Sequence, residues 1–300
     1  MNAYESSPKG YINLPFPNFQ KHIKLKNLSH IDALKKDGIN GVLRFSVRTL
    51  TPICFTQNEL IKSSETGKLY YAFHRENGKL VISGSSLKGS IRSYCEYLSN
   101  SCVKMGSASC SAKSKENSLC IVCSTFGTLG ILGRIQFNDI FLERETVLEK
   151  GPVSWSGKSK DDSKGKIYSH KLKERIISRS VFYETIPKSQ EFSLDISIVG
   201  LSDKELGLLF LGLGLSKENR FAIKIGRGKN FGFGSVLISP ERFLKISKGM
   251  SPNKIINGVE FEEFVQSNIK IYLDNCENNS TIRNNLSLIV KDSSEVINCE

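Results

Sequence analysis

The stretch SDKELGLLFLGLGL, residues 202–215, restricts the possible folds more than any other part of the chain. It opens with Ser202 and places Glu205 three residues on, the reciprocal cap of a helix N-terminus. It then runs apolar on every side, and a helix without a polar face is buried. Just before it, EFSLDISIVG (191–200) alternates with period two and reads as a strand. After it, FAIKIG and GSVLIS bracket a glycine-rich loop as two more strands.

The upstream half has the same grammar. GVLRFSVRTLTPICF (41–55) alternates and is rich in β-branched residues, a strand. KLYYAFHRENGKLVISGSS holds two short strands around Glu76-Asn77-Gly78, a hairpin-turn signal. From Leu87, apolar positions recur at Ile91, Tyr94, Cys95 and Leu98, one face of an amphipathic helix capped by Ser85 or Ser86. GRIQFNDIFLERE (133–145) reads as one strand, and the polar, Lys-rich 151–180 as a long loop or flexible hairpin. The order strand, hairpin, helix, strand, long loop, strand, helix, hairpin predicts an α+β fold. It resembles a βαββαβ ferredoxin-like unit with insertions. Val259, Phe261, Phe264, Val265, Ile269 and Tyr272 at helical spacing add a docking helix.

The formal net charge is +12. Residues 251–300 hold four basic and eight acidic side chains, a net −4 that leaves +16 on residues 1–250. A body of that sign attracts polyanions. No apolar run approaches the length of a membrane span, and MNAYESSPKGYINLPFPNF lacks the pattern of an export signal. A cytoplasmic chain without a membrane partner is expected, in which eight cysteines serve metal binding or burial.

Four of those cysteines share one polar loop. Cys102, seven residues, Cys110, nine residues, Cys120, two residues and Cys123 bring thiols within reach of one ion. Four thiolates close a tetrahedral zinc site with no open position, so the metal would staple the loop. Cys102 is the least secure ligand, since its other reading is as the end of the preceding helix. ISGSSLKGSIRS (82–93) puts Lys88 and Arg92 one turn apart behind a helix start; this suits a phosphate, or simply a capped surface helix. In IGRGKNFGFGSV (225–236), four glycines free the backbone to approach an extended anion, and Arg227 and Lys229 add charge. Phe231 and Phe233 either stack on bases or pack inward. Trp155 either anchors its loop or wedges against a base. The histidines His22, His30, His74 and His170 are scattered, without a nucleophile or metal-ligand spacing.

Taken in order, a strand, GSSLKGSIRS, a Cys-rich loop ending CSTFG, GRIQFND, FYETIPKSQEFSLDISIVGLSDKELGLLFLGLGL and IGRGKNFGFGSV resemble the RAMP superfamily of CRISPR-associated proteins over roughly residues 41–240. YINLPFPNF resembles an N-terminal motif of some members. Within the superfamily the chain is most similar to backbone-type subunits of type III (Csm/Cmr-like) effector complexes. The resemblance implies an RRM-like palm over residues 1–250, with a zinc-stapled loop near 100–127 and a thumb hairpin near 150–180. An acidic helical extension, 251–300, follows it. It further implies a structural subunit that binds CRISPR guide RNA and meets complementary target RNA, other RAMP subunits and the large and small subunits. Ser86, Lys88 and Arg92 would line the RNA groove, with Arg227, Lys229 and Phe231 near it. Relatives of this class often cut RNA with magnesium and an aspartate in the loop after the first strand. Here that loop has no aspartate. Glu59 and Glu65 stand in it and Asp32 and Asp37 precede the strand, so cleavage is not expected and these acids are the weak candidates for it. The alternatives are a metal-dependent endoribonuclease that cuts target RNA within the complex, or a RAMP endoribonuclease that processes the guide RNA.

Overall fold

The computed structural model describes residues 10–18, 20, 23–24, 38–57, 59–64, 66–102, 110, 118–152, 165–170, 180–247, 253–276 and 279–298. Its centre is a six-stranded antiparallel sheet of β1 (Ile39–Thr49), β2 (Ile135–Phe137), β3 (Glu191–Leu201), β4 (Ile223–Lys224), β5 (Ser235–Lys245) and β6 (Lys254–Asn257). The strands lie in the order β2-β3-β1-β5-β4, and β6 pairs with the far end of β5. Alternation decides the faces. Leu43, Phe45 and Val47 of β1 are registered against Ile196, Leu194 and Phe192 of β3, and all six are buried. On the opposite face Arg44 and Asp195 form a 2.7 Å ion pair across the same two strands. Pro240 cannot donate to a ladder; it sits in central β5 where the register with β1 shifts.

Two helices cross over the sheet: α1 (Gly84–Tyr97) between β1 and β2, and α3 (Asp203–Gly212) between β3 and β4. A short helix, α2 (Ile121–Phe126), follows α1, and α4 (Gly258–Asp274) and α5 (Ser280–Asn298) close the chain. The α3 start carries the full capping box of Ser202 and Glu205, and the helix is buried nearly throughout. Phe210 of α3 and Phe261 and Phe264 of α4 meet Phe45 and Phe243 of the sheet, with ring centres 5.4–6.5 Å apart. Each fully buried phenylalanine contributes about 1.5–3 kcal/mol, so β6 and α4 belong to the same core as the sheet. None of these helices is long and apolar enough, among the described residues, to cross a membrane.

Several elements differ from the sequence reading. The helix cap is Ser83, whose side chain accepts from Ser86 N, while Asp139 Oδ1 accepts from Gly84 N at 2.7 Å. The helix therefore starts before Ser85 and Ser86, both of which lie inside it. The single strand expected over 133–145 breaks at Asn138-Asp139. Its second half, Ile140–Leu142, leaves the central sheet to pair with Lys79–Ile82. Of the 151–180 insertion, residues 153–164 and 171–179, with Trp155 and the thumb hairpin, lie outside the described residues. The part between them is packed: Gly165–Tyr168 pairs with Tyr11–Leu14, and Ile167 and His170 are buried. The tail carries two helices rather than one. Ile282, Leu286 and Ile289 of α5 are buried, and α5 lies on the Tyr11–Leu14 strand.

Candidate nucleic-acid cleft and cysteine centre

One face of α1 and the glycine-rich loop stand opposite each other across a cleft of about 570 Å³. It is lined by Ser86, Gly89, Ser90 and Ser93 of α1, by Gly226, Arg227 and Lys229 of the loop, and by Phe55 and Thr56. Positions 86, 89, 90 and 93 follow the i, i+3, i+4, i+7 rule, so one helix stripe supplies a whole wall. That wall bears hydroxyls and a bare backbone, and among the described residues the cleft's lining includes no carboxylate.

Gly89 is unusual within it. A glycine inside a helix costs roughly 0.5–1 kcal/mol relative to alanine, and a Cβ added at Gly89 would meet nothing within 4 Å. The fold makes no use of this glycine; a ligand lying against the helix backbone would. Gly226 is different. At φ +75° its Cβ would approach Cys54 O to 2.4 Å, so the fold itself requires it.

The loop's glycines serve folding more than anion capture. Arg227 N donates to Cys54 O at 2.7 Å, Phe231 N and Phe233 N both donate to Gly228 O, and Gly234 N donates to Pro52 O. These amides are committed within the protein. Beneath the loop the fully buried Lys224 donates from Nζ to Gly232 O (3.1 Å) and Phe233 O (2.9 Å), and burial lowers its pKa to about 7. The loop thus holds its shape and presents cations. Arg227 is stacked 4.2 Å from the centre of the Tyr71 ring and 5.8 Å from that of Tyr183, a contact worth about 0.5–2 kcal/mol that fixes its direction.

The six residues expected at an RNA groove divide. Ser86, Arg227 and Lys229 line the cleft. Lys88, Arg92 and Phe231 are not among its lining residues. Lys88 Nζ donates to Ile135 O at 3.1 Å, and burial followed by the neighbouring Arg92 charge lowers its pKa. Arg92 donates to Glu96 (2.7 Å), to Gly127 O (2.8 Å) and to Cys123 Sγ (3.5 Å). Phe231 packs on Tyr183 at 5.4 Å and Phe233 at 5.0 Å, within a small apolar cluster that also holds Cys54. Tyr71, Tyr183, Phe55, Thr56 and Lys224 escaped the sequence reading, since only folding brings them to this loop. The stripe Ser86-Gly89-Ser90-Ser93 was legible as a spacing. Of the weak catalytic candidates, Glu59 is exposed and outside the cleft lining, while Glu65, Asp32 and Asp37 lie outside the described residues.

On the Arg92 side of α1, Cys102, Cys110, Cys120 and Cys123 converge with all four sulfurs within 4.8 Å of one another. Cys102 Sγ lies 3.7 Å from Cys120 Sγ, close to the roughly 3.8 Å edge of a tetrahedron with 2.3 Å zinc–sulfur bonds. The surroundings suit thiolates. Cys120 N donates to Cys110 Sγ (3.3 Å) and Cys123 N to Cys120 Sγ (3.4 Å), the latter as the N-cap contact of α2. Among the four sulfurs, a hydrogen bond with Cys110 lowers the Cys102 thiol to about 7 and one with Cys102 lowers Cys120, while Cys110 and Cys123 are raised by their hydrogen bonds with Cys102. Four ligands leave no coordination position open, so a metal here would brace structure.

The centre is tied to the core through Arg134 and Glu205, a buried ion pair. Arg134 also donates to Ser124 O (3.0 Å) and Gly200 O (2.7 Å), and Glu205 accepts from Ser124 Oγ at 3.0 Å. Thus α2, which begins at Cys120, is bolted to β3 and to the cap of α3.

A family model described as "RAMP superfamily" matches residues 46–237, more than half of the chain, from within β1 to the start of β5. No curated protein matches the chain.

Proposed function

Because the chain belongs to the RAMP superfamily of CRISPR-associated proteins, we propose that it is an RNA-binding structural subunit of a type III (Csm/Cmr-like) effector complex and holds guide RNA in the cleft between α1 and the glycine-rich loop. The observation that carries this is the pairing of two fixed cations, Arg227 and Lys229, with a helix wall of serines and an unneeded glycine. Such a surface admits a phosphodiester backbone closely, gives it hydrogen bonds and neutralises it. The sheet order supports the ferredoxin-like reading: counting β1, β2, β3 and β5 as first to fourth, they lie fourth-first-third-second, all antiparallel, with α1 and α3 as the crossovers. Zinc in the four-cysteine centre would hold α2 and the loop before it against α1. Lys88 and Arg92 then act on the centre's side of the helix, supporting the wall rather than touching RNA. Among the described residues the cleft offers hydroxyls, cations and bare backbone, which suit gripping a strand.

The test is binding of a fluorescent CRISPR-repeat RNA to the full chain across a salt series. Replacing Arg227 and Lys229 together with alanine is expected to weaken binding at least tenfold. It should also flatten the salt slope by about 0.7 for each phosphate no longer neutralised. Equal affinity and slope would overturn the assignment.

Gly89 separates ligand contact from folding. Gly89→Ala is expected to raise stability by up to about 1 kcal/mol while lowering RNA affinity, and Gly89→Leu should lower it further. A thermal melt read beside the binding curve shows both effects; tighter folding with unchanged RNA binding would place the strand elsewhere.

A further inference from the structure

The ribbon of Tyr11–Leu14 and Gly165–Tyr168 begins where the cleft ends. Side chains two apart on a strand share a face. Tyr11 is registered opposite Tyr168 and Asn13 opposite Lys166, so these four stand together. Tyr11 and Tyr168 meet edge to face at 5.9 Å, and Lys166 Nζ lies 5.6 Å from the centre of the Tyr11 ring. At the other end Lys229 Nζ lies 5.3 Å from the centre of the Tyr168 ring, and Lys229 is also a wall of the cleft. Cation, ring, ring, cation therefore run in a continuous row away from the cleft.

The row is held firmly. Lys166 N donates to Tyr97 Oη of α1 at 3.1 Å. Directly after Tyr168, Ser169 Oγ and His170 N donate to the buried Asp292 of α5 at 2.6 and 2.7 Å. Tyr168 nevertheless keeps 37% of its surface exposed. Tyr168 and Tyr11 stand between the two amines, and Tyr168 offers the exposed ring on which a flat base can stack, with a cation at either end of the row for phosphates.

We propose that this row is a second subsite, where a single-stranded polynucleotide leaving the cleft stacks one base on Tyr168 and passes its flanking phosphates to Lys229 and Lys166. The inference rests on the reading of the cleft as an RNA site. A base on Tyr168 shifts the Lys229 amine from ring to phosphate, exchanging a cation–π contact for an ion pair. An acidic protein surface would also engage the lysines, but it makes no use of the exposed ring.

The experiment compares fluorescein-labelled oligouridylates of about 5 and about 15 nucleotides, lengths that bracket one binding module, on the full chain by anisotropy. Tyr168→Leu is expected to weaken the longer RNA about tenfold, the size of one missing base–aromatic stack, and to leave the shorter one unchanged. Tyr168→Phe keeps the ring and should keep the affinity. Lys166→Gln should reduce the salt slope for the longer RNA only, and gives an independent reading if Tyr168→Leu proves unstable. Wild-type affinity of both variants for the longer RNA would overturn the subsite, as would an equal loss for both lengths. If the unaltered protein binds neither length, the reading of the cleft itself fails, and the subsite with it.

Discussion

Cys120→Ser is expected to abolish the zinc binding proposed for the four-cysteine centre and to unfold the segment around α2. Cys120 acts at three points: its sulfur is one of the four, it caps α2 by accepting from Cys123 N, and its amide donates to Cys110 Sγ. Serine is itself a good N-cap and keeps the backbone amide, so the substitution removes the sulfur and spares the cap. Losing the metal is the main cost, since structural zinc contributes about 10–16 kcal/mol of apparent folding free energy in zinc-finger peptides. Cys120, Val122 and Phe126 belong to the same buried cluster as the central sheet, so the damage should register as a marked fall in the thermal midpoint. Metal analysis and a melt check this together, with chelator-treated wild-type protein as the parallel case. Cys276→Ser, outside the cluster, should retain its zinc. A Cys120→Ser protein that keeps both metal and midpoint would show that the sulfurs meet for packing alone.

Glu205→Gln should cost about 3–5 kcal/mol, the usual penalty for stranding one partner of a buried ion pair. Arg134 and Glu205 side chains are 8% and 6% exposed, so neither charge finds water when the other is removed. Glu205 also accepts from the Ser202 backbone N and hydroxyl, both at 3.0 Å. A glutamine keeps part of that cap, and the loss then reports mainly the charge. Arg134→Met alone should be comparably harmful. The double variant should lose less than the two single losses combined, because the pair then leaves together. Urea denaturation of the four proteins gives the cycle. A loss under about 1 kcal/mol for Glu205→Gln would mean that solvent reaches the pair.

What the sequence revealed was mostly local. The α3 cap needs only Ser202 and Glu205, three residues apart, and both appear as expected. The cysteine spacing identified four sulfurs that converge, Cys102 included. Strands β1 and β3 declared themselves by alternation, since both have one buried and one open face. The break at Asn138-Asp139 falls where alternation slips by one, two polar residues standing between Phe137 and Ile140, which the single-strand reading passed over. There Asn138 N still donates to Asp195 O, and Asp139 turns to accept from Gly84 N at the start of α1. Helix α5 was missed because its asparagines and serines dilute an apolar stripe of only Ile282, Leu286 and Ile289. The site was half legible for a similar reason. Spacing reveals that Lys88 and Arg92 share a face, but not whether that face meets the cleft or the sulfurs. This depends on where the loop of Gly226–Lys229 returns, and that loop is set by β4 and β5 far along the chain.

The seating of α5 has a consequence for how the molecule comes together. Asn285 donates to Pro15 O at 3.1 Å and to Tyr97 O at 2.8 Å, and Asp292 fixes Ser169 and His170 beside the ribbon. The Tyr11–Leu14 strand is thus clamped by a helix whose Asn285 lies 270 residues from Pro15 along the chain. Pairings so distant along a polypeptide form late and slowly. A nascent chain made only as far as α4 has every strand of the central sheet but must leave Tyr11–Leu14 without this clamp until α5 emerges.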